Sequence, residues 1–195
     1  MTTNKPLPDL LYSSVDTHLD ILTQNKDFIV FSSIRFYEAL ARTFANSGIV
    51  YTFGNGGSAA DASHLTAELI GRFHLTRNPL PSVCLNDSGT ALTCISNDFS
   101  SEHIFSRQVQ ALGRPQDLVV PFSTSGKSPN IVKSLQYTVV AGIPSFAFLG
   151  STGGDSLKLA QDHVLVPSDS TPRIQECHTL IIHLACQLLD LTLAQ

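Results

Sequence analysis

The chain has 195 residues, the size of one ordinary domain and long enough to bury a substantial core. Twelve Lys plus Arg against sixteen Asp plus Glu give a formal charge of −4, and no stretch is basic enough to offer the electrostatic footprint of a duplex nucleic-acid binder. Hydrophobic residues make up 43% and charged residues only 14%, below the about 25% of an average soluble domain, so apolar surface is expected to be hidden in extensive subunit contacts. No run of about 18 apolar residues predicts a membrane span. The start, MTTNKPLPDL, lacks the basic-then-apolar pattern of a secretory signal, so a cytoplasmic location is expected. Cys84, Cys94, Cys177 and Cys186 fit neither a zinc knuckle nor a CxxC pair; each lies in an apolar segment and reads as a small hydrophobe.

Two helical patterns come first. Leu10, Leu11, Val15, Leu19 and Leu22 recur every three to four residues, as do Ile34, Leu40 and Phe44. Ile49–Phe53 then reads as a buried strand that runs into Gly54-Asn55-Gly56-Gly57-Ser58 and a helix over about 58–73. Ser82–Leu85 reads as a strand before helical text at Gly89–Ile95. Leu118–Phe122 reads as a strand leading into Ser123-Thr124-Ser125-Gly126-Lys127-Ser128, with Pro129 suited to the first turn of the next helix. Pro144–Leu149 and His163–Val166 complete the strands, and a long helix closes the chain from about Pro172 to Leu193, with Thr171 as its N-cap. Short buried strands alternating with helices predict a parallel, doubly wound α/β sheet, whose ligands bind at the loops beyond the carboxyl ends of the strands.

Those loops carry the chemistry. Hydroxyls and free backbone N–H groups at a helix start suit an anion, and two such loops at equivalent strand ends could hold one phosphate from two sides. Ser and Thr also fill loops and cap helices without any ligand. Neither GxxxxGK[ST] nor GxGxxG occurs, so nothing supports nucleoside triphosphate hydrolysis and little supports a dinucleotide fold. His64 and Glu68 are four residues apart on one helix face. Their spacing fits both a surface hydrogen bond and a site for a divalent ion. Gln175 and His183 share nearly one face of the closing helix; a His in such an apolar stretch is more often a core residue than a ligand, and His178 lies about half a turn away. His18, His74, His103 and His163 show no matching partner and read as structural.

GNGGSAADASHLTAELIGRF (Gly54–Phe73), SNDF (Ser96–Phe99), STSGKS (Ser123–Ser128) and RIQECHTLIIH (Arg173–His183) resemble the phosphoheptose isomerases of the sugar-isomerase (SIS) domain family, in order and spacing over nearly the whole chain. The resemblance implies a flavodoxin-like SIS sandwich spanning 1–195. It also implies a homotetramer whose N-terminal helical segment, 1–47, joins an oligomeric bundle. It implies one zinc ion per subunit held by His64, Glu68, Gln175 and His183. The substrate and its phosphate would be bound by Asn55, Gly56, Gly57, Ser58, Arg72, Asn97, Asp98, Ser123, Thr124, Ser125, Ser128 and Gln175. Glu68 would act as base and His183 as its acid–base partner in converting sedoheptulose 7-phosphate to D-glycero-D-manno-heptose 7-phosphate, a precursor of the lipopolysaccharide core. Such an isomerase needs a base at carbon, an acid near oxygen and an electrophile for the enediolate. Pro172 departs from the family's acidic residue before RIQ, with Asp169 close by but not at the matching position. Relatives of these isomerases that associate with the replication initiator DnaA give a second reading, a non-catalytic adaptor. Those relatives lack the His, Glu and closing His that this chain retains.

Overall fold

A computed structural model of the chain describes residues 6–193. Residues 1–5 and 194–195, the ends of the segments 1–47 and 1–195, lie outside the described part. Five strands, β1 (Val50–Gly54), β2 (Ser82–Cys84), β3 (Leu118–Ser123), β4 (Phe146–Gly150) and β5 (Asp162–Val166), pair in parallel in the order β2-β1-β3-β4-β5. This is the flavodoxin-like doubly wound order, whose direction of winding switches between β1 and β3. The neighbouring ends of those two strands therefore open the crevice where ligands bind in such sheets.

Alternation along each strand feeds two apolar layers. Val50, Val120, Phe122, Phe146 and Phe148 face α2 (Lys26–Ala45), α3 (Gly57–Ile70) and α8 (Thr171–Leu193). Tyr51, Phe53 and Val119 face α5 (Ser106–Leu112) and α6 (Pro129–Ala141), with Leu92 of α4 (Gly89–Asp98) and Leu159 of α7 (Ser156–Leu159) packed alongside. The three central strands β1, β3 and β4 are buried throughout, as a parallel sheet covered on both faces requires, while the edge strands β2 and β5 are partly open. Asp117, itself buried, accepts the Ile49 N–H at 2.8 Å and the Arg114 N–H at 2.7 Å, fixing where β1 and β3 begin.

Several expectations shift. The closing helix begins at Thr171 itself, and Ser170 takes the cap place, its carbonyl accepting the Ile174 N–H at 2.9 Å. α5, α7 and a 3-10 turn at Ser101–His103 are additional to the expected elements. Cys94 is exposed rather than a buried hydrophobe, its thiol 3.5 Å from Asp98 Oδ2, whereas Cys84, Cys177 and Cys186 are buried. Burial pushes the Cys177 thiol up to about 11 and that of Cys186 to about 12, so both stay protonated and inert. The periodic residues of α1 (Leu7–Gln24) are divided between two surroundings: Ile21 and Leu22 reach the core, while Leu7, Leu11, Tyr12, Val15 and Leu19 are exposed.

Phe36 fastens α2 to the sheet. Its fully buried ring lies 4.9 Å from Phe146 and 4.8 Å, edge to face, from Phe148. Phe36→Ala is expected to cost about 3–5 kcal/mol of unfolding free energy through lost burial and a residual cavity, measured by urea denaturation.

Candidate active site

The loop after β1 and the loop after β3 meet at the switch point. Asn55 Nδ2 donates to Asn130 Oδ1 at 2.9 Å, and Asn130 Nδ2 donates back to Asn55 Oδ1 at 3.0 Å. Asn86 braces the strand end beneath by a reciprocal pair of bonds with the Gly54 N–H and carbonyl, both 3.0 Å. Asn55, Ser58, Phe122, Ser123, Thr124, Ser125 and Ser128 line a small cavity of about 80 Å³ between the loops. Neither α3 nor α6 carries a side-chain cap: Gly56 precedes the first, and Ser128 precedes the second with its hydroxyl unused for capping. Both helix N-termini therefore retain free N–H groups and a partial positive charge beside the cavity. Among the described residues no Lys or Arg lines it, so an anion placed there would meet hydroxyls and backbone N–H groups. Gly126 closes the β3 loop in a left-handed conformation (φ +63°). A Cβ there would lie 1.8 Å from the Gly153 carbonyl oxygen, so the β4 loop backs this turn directly.

The second cluster lies further along α3, where it faces α8. His64 Nε2 is 3.3 Å from Glu68 Oε1 and 3.2 Å from His183 Nε2, and the potential ligand atoms of the three residues lie within 4.8 Å of one another. The two imidazole nitrogens can share only one proton along their axis. A cation would accept all three donor atoms at once, so this set can hold a metal. Burial and the neighbouring His64 hold the His183 pKa below its ordinary value, with His74 adding to the effect and Glu68 opposing it. His183 is therefore neutral at pH 7. Phe73 packs against its ring with centroids 5.3 Å apart.

Over about two turns of each helix the partners follow one register: Gln175 lies against Gly57, Thr179 against Asp61 and His183 against His64. Thr179 donates to Asp61 Oδ1 at 3.1 Å, while Asp61 Oδ2 is buried without a partner. Gln175 thus touches the start of α3, nearer the cavity than the His64 cluster. Arg72, Asn97 and Asp98 are exposed; Asn97 donates to Asp98 at 2.8 Å, and neither lines the cavity between the loops. His178 is confined to the core, its Nε2 donating to the Leu149 carbonyl at 3.0 Å. Asp169 is engaged by the Ser151 hydroxyl at 2.5 Å, and Pro172 offers no carboxylate.

Residues 34–150 match the SIS domain family. A phosphoheptose isomerase of Geotalea daltonii is 46% identical over 153 residues, covering 78% of this chain and 80% of its own. One from Helicobacter pylori strain P12 is 37% identical over 184 residues, or 94% of this chain and 96% of its own. The chain belongs to the phosphoheptose isomerase family. Its members are isomerases built on the SIS domain, and this chain is an enzyme of that kind. The structure of phosphoheptose isomerase GmhA from Neisseria gonorrhoeae shares the fold with a TM-score of 0.88 at 33% identity, covering 95% of this chain and 99% of that one. A phosphoheptose isomerase from Francisella tularensis gives 0.91 at 28% identity, with coverages of 96% and 100%.

Sequence reasoning about this phosphoheptose isomerase missed Asn130, Asn86, Asp61 and Thr179. Helical spacing could have found the last two. Asp61 lies four residues after Gly57 and three before His64 on α3, and Thr179 lies four residues from both Gln175 and His183 on α8, so each shares its helix face with the residues singled out.

Burial raises the Asp61 pKa to about 6, opposed by the Thr179 hydrogen bond and by His64. A raised carboxyl pKa means that the folded protein binds the proton more tightly than the unfolded chain. The stability Asp61 contributes is thus present at low pH and lost as pH rises toward and through 6. Asp61→Asn, which keeps an acceptor for Thr179, is expected to be more stable than the parent by about 1–3 kcal/mol at pH 8, with the gap closing toward pH 4. Urea unfolding of metal-free protein across this range checks it. Burial drives His178 the other way, down to about 4, so its contribution is lost as pH falls from about 6.5 toward 4. The substitution should expose that acid-side loss more steeply.

Proposed function

We propose that this chain is an aldose–ketose isomerase that converts sedoheptulose 7-phosphate to D-glycero-D-manno-heptose 7-phosphate, supplying a precursor of the lipopolysaccharide core. The observation that carries this reading is the presence of both halves of such a site on one helix. An anion cavity lies at the N-terminus of α3, and an acid–base cluster of His64, Glu68 and His183 lies further along it. From Ser58 to His64 the helix rises about 9 Å, a span a phosphorylated seven-carbon chain can bridge.

Ser58, Ser123, Thr124, Ser125 and Ser128, with the N–H groups at Gly56 and Gly57 and the amide of Asn55, bind the phosphate. Glu68 removes the proton from C1 of the ketose, giving an enediol(ate) with a C1–C2 double bond, and returns it to C2. His183, neutral at pH 7, carries the hydroxyl proton from O1 to O2, so the carbonyl passes from C2 to C1 with no net loss of atoms. His64, Glu68 and His183 would hold a zinc ion, which when bound supplies Lewis-acid stabilisation of the negative charge on the sugar oxygens, while Gln175, set against Gly57 nearer the cavity, binds the substrate. Arg72, Asn97 and Asp98 contact the sugar. Retention of the His64–Glu68–His183 set favours this reading over the DnaA-binding adaptor.

The chain acts as a homotetramer in which the N-terminal segment 1–47 forms the helical bundle. The stripe of Leu7, Leu11, Val15 and Leu19, each more than half exposed, supports this, as do exposed Phe31 and Ile34 on α2.

Incubation with sedoheptulose 7-phosphate, followed by NMR, is expected to show the aldose product. No product with zinc supplied and the oligomer confirmed overturns the reading. Glu68→Gln should lower kcat by about 10²–10⁴-fold with the oligomer intact. Ser125→Ala should raise KM for the phosphorylated sugar; an unchanged KM removes Ser125 from the phosphate site. A monomer in sedimentation velocity excludes the tetramer.

A further inference from the structure

Nine residues after Glu68 in sequence, Arg77 turns back beneath the helix that carries it. The Arg77 side chain is fully buried and that of Asp190, on α8, is 2% exposed. Arg77 Nε donates to Asp190 Oδ1 at 3.0 Å. The rest of the guanidinium donates to backbone carbonyls: Nη2 to that of Glu68 at 2.6 Å, and Nη1 to those of Leu69 at 2.9 Å and Asn78 at 3.2 Å. Two of these are orphan carbonyls of the last turn of α3, so the guanidinium acts as a charged C-terminal cap. Asp190 Oδ2 meanwhile accepts the N–H groups of His74 at 2.6 Å and Leu75 at 2.7 Å. Burial raises the pKa of that carboxyl, but the two N–H groups and Arg77 outweigh it and hold the pKa below its ordinary value.

This pair joins three pieces of the site. It grips the turn of α3 from which Glu68 projects. It anchors the 73–75 turn, where His74 stacks on Phe73 (4.1 Å between centroids) and Phe73 packs on His183. It fixes both to α8 at a position seven residues beyond His183, on the same face of that helix. A buried ion pair is often no more stabilising than apolar side chains of equal volume, so its distinctive contribution here is register.

We propose that Arg77 and Asp190 are positioning residues for the isomerase chemistry: together they set the register of α3 against α8 and so the placement of Glu68 and His64 relative to His183. The inference rests on the proposed roles of Glu68 and His183 for its kinetic consequence, but not for its geometric one. The phosphate cavity, braced separately by Asn55–Asn130, does not depend on the pair.

The test uses Arg77→Lys, which keeps the charge but cannot span Asp190 and both α3 carbonyls. Asp190→Asn, which retains an oxygen for the His74 and Leu75 N–H groups, serves as the second variant should the first fail to fold. A crystal structure of the variant is expected to show the His64–His183 separation changed by about 1 Å, a displacement able to cost about 10²-fold in rate. In the active full-length enzyme, kcat should fall by about that factor while KM for the phosphorylated sugar stays near the parent value. An unchanged separation, or an unchanged kcat in folded variant, overturns the proposal. So does a rise in KM with kcat retained. If the parent chain fails to isomerise the heptose phosphate, the functional reading falls, and the crystal structure still decides the positioning role.

Discussion

The candidate site is built on a polar seam between two helices that otherwise pack by apolar contact. α3 and α8 cover the same face of the sheet, and Leu65, Leu69, Ile181 and Ile182 of these helices are fully buried. Along one line between them the apolar pattern is interrupted by Asp61, His64 and Glu68 on α3 and by Gln175, Thr179 and His183 on α8. Polar groups in such a place are costly unless each meets a partner. Thr179 answers Asp61, and His64 answers both Glu68 and His183. The unpartnered Asp61 Oδ2 shows where the matching is incomplete, and the rise of that carboxyl's pKa is the electrostatic consequence. A seam of this kind works only in one register, because a shift of one residue rotates a side chain by about 100° and separates every pair.

The cavity at the switch point is built differently. Its donors are hydroxyls and backbone N–H groups on the loops of adjacent parallel strands, so their positions follow from the sheet's own hydrogen bonds. The Asn55–Asn130 pair and the close contact of Gly126 with Gly153 add short-range braces. With a formal charge of −4 and no basic side chain lining the cavity, long-range attraction contributes little there. An anion held at this end would be held by local geometry, in the manner of helix N-termini in other doubly wound sheets.

The sheet was legible in the sequence because its strands are buried on both faces and read as continuous apolar runs between Gly- and Ser-rich loops, as at Ile49–Gly54 and Leu118–Ser123. The long helices were legible from their apolar period, while the cap of the closing one falls at Ser170 rather than at Thr171. α5 and α7 were not, because seven and four residues carry too little periodicity to stand out. The outward stripe of α1 was visible as a pattern, but its direction was not. An apolar period shows that a face must be covered and leaves open whether the cover is the chain's own core. Cys94 shows the same gap: its neighbours are apolar, yet α4 presents it to solvent beside Asp98.

Within the site, the residues that follow each other along one element were readable, and those joined across the fold were not. His64–Glu68 is a four-residue interval, and the Ser123–Ser128 loop is contiguous. Asn55 and Asn130 are 75 residues apart, and Arg77 and Asp190 are 113 apart. In one dimension, Arg77 is a basic residue in a Pro- and Asn-containing loop and Asp190 an acidic residue near a helix end, both ordinary surface choices. Only the folded chain shows that each is buried against the other. The distinction also has a mechanical side. Contiguous segments set what the site contains, since local backbone geometry delivers the donors. Long-range polar contacts set how its parts are aligned, since nothing local ties α3 to α8. A substitution in the first group removes a functional group, whereas one in the second leaves every group present and alters its aim.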